Sequence, residues 1–148
     1  LLAMKKRGFG TGKFNGVGGK VEAGESVTSA AIREVKEEIS VRMNESHLVY
    51  SAHLSFSFEN KGDWDQECFV FVSDKWEGEP RESEEMAPEW FRVENLPFEI
   101  MWVGDPHWLP KVLSGKKIKA LFHFDSEGKE IKFLDVSETI ELQANPSV

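Results

Sequence analysis

Apolar residues recur along this chain with two different periods, and each period predicts a different element. From Ser26 to Ile39 there is no Gly or Pro, and Val27, Ala31 and Val35 repeat every fourth residue with Ala30 beside them. That is the single apolar stripe of an amphipathic helix. Over residues 47–58, Leu48, Tyr50, Ala52, Leu54, Phe56 and Phe58 alternate with their neighbours, the pattern of a half-buried strand. Residues 67–73 are nearly all apolar, which predicts a returning strand at the centre of a sheet. Further strands are predicted at 1–6 and 90–93, and a terminal hairpin pairs 118–124 with 130–134 around Asp125-Ser126-Glu127-Gly128. Asp105 as N-cap with Pro106 behind it predicts a second helix, which Pro110 shortens or distorts. The order of elements predicts an α/β chain of the α+β kind, a mixed sheet with helices packed on it.

Composition narrows this to one soluble domain over residues 1–142, with a disordered tail at 143–148. No apolar run reaches membrane-spanning length. Cys68 is the only cysteine, so an internal disulfide is excluded and a reducing compartment is expected. Cys68 itself reads as a small core hydrophobe. His47 and His53 lack the spacing of a metal pair and read as structural or solvated. Trp64, Trp76 and Trp90 read as core or surface anchors. The formal net charge is −8, which argues against a nucleic-acid polymer as partner.

The same charge sits awkwardly with a polyphosphate ligand until the acidic residues are placed. Glu34, Glu37 and Glu38 fall at i, i+3 and i+4 and meet on one helix face. Like charges so placed repel, unless a hard dication such as Mg2+ sits among the oxygens. The plain alternative is an acidic solvated surface offset by Arg33 and Lys36. Basic residues gather at Lys5, Lys6, Arg7 and Lys13 around the glycine-rich segment 8–12, either as a solvated loop or as a phosphate-facing one. Residues 14–19 carry three glycines and can bring main-chain atoms close to whatever the helix holds.

Gly19, Glu25, Arg33, Glu34, Val35, Glu37, Glu38 and Val41 stand where the box G-x5-E-x7-R-E-U-x-E-E-x-G-U of the Nudix, or MutT-type, hydrolases asks for them. Ser40 replaces the glycine that ends the box helix. The likeness continues through residues 4–10, Asn15-Gly16, 82–91 and 97–102, and most resembles the branch acting on oxidised purine nucleoside triphosphates. The resemblance implies an α/β/α sandwich and Mg2+-dependent hydrolysis (Mn2+ as an alternative ion) of substrates such as 8-oxo-dGTP to the monophosphate and pyrophosphate. It also implies a monomer working in nucleotide-pool sanitation in the cytoplasm, with mitochondrial or nuclear fractions.

By the same resemblance Glu34, Glu38, Glu37 and Glu85 would bind metal, joined by the carbonyl of Gly18 or Gly19. Glu37, Glu38 or Glu85 would take a proton from water, and Arg33 would orient a box glutamate. Lys5 would face phosphate, Phe9 and Trp102 would line or stack on the purine with Trp108 packing behind Trp102, and Asn15 and Asp105 would read its edges. Two departures stand out. The family's first base-reading aspartate is Gly104 here, and no apolar strand precedes Leu1, so either a longer chain supplies it or the sheet closes differently. Two other expectations therefore stay open: Gly104 points to hydrolysis of another diphosphate-linked nucleotide, and Ser40 with the missing strand points to nucleotide binding without cleavage.

Overall fold

The computed structural model describes residues 1–142, so the expected tail at 143–148 lies outside the described residues. These fall into two compact units, one of Leu1–Val49 with Ser73–Met101, the other of Tyr50–Val72 with the segment from Trp102 onward.

In the first unit β1 (Leu2–Lys5) lies between β2 (Phe14–Asn15) and β5 (Met86–Glu89), both antiparallel to it. Helix α1 (Val27–Ile39) begins where the pattern placed it: the Ser26 hydroxyl accepts from the Ser29 N–H at 3.1 Å. It ends on Ser40, which takes the left-handed conformation at φ 62° and donates its N–H to the Lys36 carbonyl. The serine therefore reproduces the exit a glycine would give, at the steric cost of a Cβ. Ala3, Ile39, Val41 and Met86 form a buried cluster, with Val17, Val35 and Met43 packed on it, so the aliphatic stripe of α1 is turned to the core.

The strand predicted at 90–93 instead occupies 86–89. Its pairing with β1 runs from Lys5↔Met86 to Leu2↔Glu89 and stops there. Beyond it Trp90 leaves to pack on Trp76 (ring centroids 5.3 Å) and Phe91 meets Phe14 edge-on at 4.9 Å. The next ladder position would set Trp90 opposite Leu1, and both aromatic rings are engaged outside the ladder instead.

The second unit holds a four-stranded sheet in the order β4 (Gln66–Val72), β3 (Val49–Phe58), β6 (Lys117–Phe124), β7 (Ile131–Thr139). β3 and β6 are parallel and β6–β7 is the expected antiparallel hairpin, so the mixed pairing is as predicted, but in two sheets rather than one. β1 is paired on both sides, with β2 at Ala3 and Met4 and with β5 from Leu2 to Lys5. β4 is an edge strand, not a central one; its rings are covered by neighbours, Tyr50 against Phe69 and Phe71 and His53 stacked on Phe69 at 4.8 Å. Leu54, Ile118 and Phe122 are the fully buried centre. Helix α2 (Asp105–Leu113) is capped by Gly104, one residue before the predicted cap, and carries Pro110 inside its nine residues. No helix among the described residues is long and apolar enough to cross a membrane.

Candidate active site

Helix α1 aims its three glutamates into one cleft of about 300 Å³, lined by Glu34, Glu37 and Glu38 together with Arg7, Ser83, Glu84 and Glu85. Five carboxylates thus share one hollow, and they differ sharply in environment.

Glu38 is the buried one, 9% exposed. Its Oε2 has no hydrogen-bond partner. Burial, reinforced by the charges of Glu34 and Glu85, pushes its carboxyl up to about 7, against the pull of a Gly18 N–H and Lys5. A desolvated carboxylate with a vacant oxygen is costly unless a cation reaches it.

Glu34 is shaped by Gly19. A Cβ built on Gly19 would collide with the Glu34 carboxyl, so only glycine allows this approach. Arg33 sets the position from the other side. Its guanidinium donates to both oxygens of Glu25 (2.6 and 3.1 Å), to Glu34 Oε1 at 2.8 Å, to the Lys20 carbonyl at 3.0 Å and to Glu37 Oε2 at 3.3 Å. The bond to Arg33 lowers the Glu25 carboxyl from its ordinary value, and Glu25 accepts the Glu22 N–H as well. The box arginine therefore clamps the glycine loop to the helix by a bidentate pair.

Glu85 comes from the loop before β5. Lys6 donates its main-chain N–H to the Glu85 carbonyl at 2.8 Å, which fixes that loop against the end of β1. The Glu85 carboxylate accepts from the Arg7 guanidinium at 2.7 Å, with Glu84 at 3.6 Å. No three His, Cys, Asp or Glu side chains among the described residues stand as a ready metal cage; Arg33 holds Glu34 and Glu37, and Arg7 holds Glu85. The donor set still suits a hard dication: oxygen ligands only, one of them buried with an unpartnered atom, beside a glycine that no other residue could replace. Arg7, Ser83 and Glu84 are lining residues the box did not reveal. The signals for Arg7 were its place in the basic run and in the segment 4–10 that shares the family likeness.

Of the expected substrate contacts, Lys5 ends β1 and lies near Glu38, Asn15 is half-buried in β2, and Phe9 is 52% exposed in the loop between these strands. Trp102 and Asp105 belong to the second unit. Asp105 is 5% exposed; it accepts the Trp102 main-chain N–H at 3.1 Å and the Trp108 indole N–H at 3.2 Å. Trp108 is thus tied to the helix start by a hydrogen bond as well as by packing. Gly104 is buried, and a Cβ there would press on the rings of Phe122 and Phe124 at 3.3–3.4 Å. Cys68 lies in β4, half-buried, and burial pushes its thiol up to about 11, so it stays neutral. His53, in the second unit, places its Nε2 2.6 Å from the Glu67 carboxylate, which accepts.

The sequence matches the NUDIX domain over residues 1–112. It is 42% identical over 124 residues to the oxidized purine nucleoside triphosphate hydrolase of Danio rerio, covering 84% of this chain and 78% of that protein. It is 41% identical over 127 residues to the protein of the same name from Mus musculus, covering 86% of this chain and 80% of that one. A solved structure of a MutT protein from Bacillus halodurans, 22% identical, superposes with a TM-score of 0.72 over 90% of this chain and 88% of that one, so the α/β fold is that of MutT. With the box glutamates converging on one cleft and the match spanning most of the chain, the protein belongs to the Nudix family.

Proposed function

We propose that the protein is a Mg2+-dependent pyrophosphohydrolase of oxidised purine nucleoside triphosphates, with residues 1–142 acting as one hydrolase domain. The observation that carries this is Glu38: a buried carboxylate with a vacant oxygen, in a cleft with four others. Its relatives' names supply the substrate class.

Glu34, Glu38 and Glu85 are the residues that would hold the ion, with Glu37 and the Gly18 or Gly19 carbonyl as further oxygen donors. Bound there, it would neutralise phosphate charge and lower the pKa of a water. The chain's own residues do the rest. Arg33 keeps Glu34 and Glu37 oriented, and the Glu25 clamp keeps the glycine loop from moving. Lys5 faces the phosphates. Glu37, exposed and held by Arg33 only at 3.3 Å, Glu85 and Glu38 are our candidates to accept the proton of the attacking water. Water attacks phosphorus, the bridge between the α and β phosphorus atoms breaks, and nucleoside monophosphate and pyrophosphate leave. Phe9, Asn15, Trp102 and Asp105 are our assignments for the purine.

A second reading, another modified nucleotide as preferred substrate, is favoured by Gly104, whose site against Phe122 and Phe124 leaves no room for a carboxylate without shifting the rings. Non-catalytic binding loses one of its two grounds, because Ser40 makes the left-handed helix exit that a glycine would make. One assay tests both readings: pyrophosphate release from a panel of oxidised and normal triphosphates. We expect 8-oxo-dGTP to be cleaved only with Mg2+, and Glu38→Gln to fall by roughly 10³-fold, within the range that loss of metal-centred charge stabilisation costs. Full activity in Glu38→Gln sinks the assignment.

A further inference from the structure

Among the described residues lining the cleft, Arg7 is the one cation facing five carboxylates. It follows directly on β1 and precedes Gly8, whose φ is 80°, so its side chain leaves the sheet just where the main chain turns into the glycine loop. Its guanidinium rests on Glu85 at 2.7 Å with Glu84 at 3.6 Å, and both side chains of the closer pair are about half exposed, 59% and 49%. An exposed pair of this kind is held only weakly. Lys6, by contrast, is committed: its ammonium binds Glu82 at 2.6 Å and the Ser83 carbonyl at 2.8 Å. So the cleft contains a loosely held guanidinium sitting where a cation is wanted at Glu85. The planar fork of an arginine matches a phosphate as well as it matches a carboxylate.

We propose that Arg7 is a phosphate-binding residue held in reserve: its guanidinium occupies Glu85 until a dication takes that carboxylate, and then turns to the terminal phosphate of the triphosphate. This rests on the functional reading above. It makes dication arrival and phosphate capture a coupled exchange of partners. Glu85 trades an arginine for a metal ion, and Arg7 trades a carboxylate for a phosphate. The cleft never holds an unbalanced guanidinium, nor an extra bare carboxylate. No bond is made or broken in the exchange, which needs only rotation of one exposed side chain.

Two predictions with opposite signs follow, and a purely structural arginine would give neither. In titration calorimetry without nucleotide, Arg7→Gln should bind Mn2+ or Mg2+ about 2–5-fold tighter than the unsubstituted protein, because the competitor of the ion has gone. The same variant should bind the triphosphate about 10–100-fold more weakly, while the product monophosphate, which lacks the terminal phosphate, binds as before. Arg7→Lys should recover part of the triphosphate affinity through its charge but not the fork. Unchanged dication affinity in Arg7→Gln overturns the exchange. Equal weakening of triphosphate and monophosphate overturns the terminal-phosphate assignment. Failure of the unsubstituted protein to bind any triphosphate would instead bring down the functional reading, and the metal titration would still decide whether Arg7 competes for Glu85.

Discussion

Glu38 and Gly19 show how single residues set the chemistry of this cleft. Burial and its acidic neighbours raise the Glu38 carboxyl from 4.5 to about 7. A raised folded-state pKa means that the neutral form is favoured by folding. The stability it contributes is complete below about pH 4.5 and is lost as pH rises through 7. The metal-free protein should therefore melt lower at pH 8 than at pH 5, and Glu38→Gln should recover about 1–2 kcal/mol at pH 8, discounted for solvent screening. That is a few degrees in a thermal melt. No gain at pH 8, or an equal gain at pH 5, contradicts the assignment. Gly19→Ala should push the Glu34 carboxyl aside and weaken dication binding by roughly 10–100-fold, as displacing a ligand's support commonly does. Calorimetric titration of the folded variant checks this; unaltered affinity would mean Glu34 is not a ligand.

At the scale of elements, α1 and the loop before it act as one piece. Arg33 ties Glu25 and the Lys20 carbonyl to Glu34 and Glu37, so the helix does not merely display its acids but shares their support with the glycine turn. The helix exit at Ser40 is the weak point, since a non-glycine residue there stands at φ 62°. Ser40→Gly should stabilise the fold by about 1 kcal/mol, the steric cost of a left-handed Cβ net of the entropy glycine adds to the unfolded chain. Denaturant unfolding measures it, with catalysis unchanged because no ligand is touched. A loss of stability would show that the serine side chain makes a contact that outweighs its strain. β5 and β1 matter for the same reason as α1: the Lys6-to-Glu85 main-chain bond brings a loop carboxylate to a helix far from it in sequence.

For the whole molecule, a net charge of −8 and the dication proposed for the glutamate cleft would make the cation part of the stability balance. Mg2+ at 100 times its dissociation constant should stabilise the protein by about 2.7 kcal/mol. The gain should vanish in Glu38→Gln, and a melt that ignores Mg2+ in the unsubstituted protein would contradict a specific site. Much of this could be read along the chain. Helical spacing put Glu34, Glu37 and Glu38 on one face, glycine spacing marked the loop that approaches them, and alternation marked β3 and the β6–β7 hairpin, because covalent periodicity needs no knowledge of the rest of the fold. Other features depended on partners distant in sequence. Pairing with β1 set β5 four residues early, an edge position changed what the apolar run of β4 meant, and Asp105 lay one place inside its helix with both oxygens occupied. Only the tertiary structure decided which glutamate is buried and unpartnered, and which cations hold the others. Desolvation and ion pairing are set by what surrounds a side chain in space, and linear spacing does not carry that.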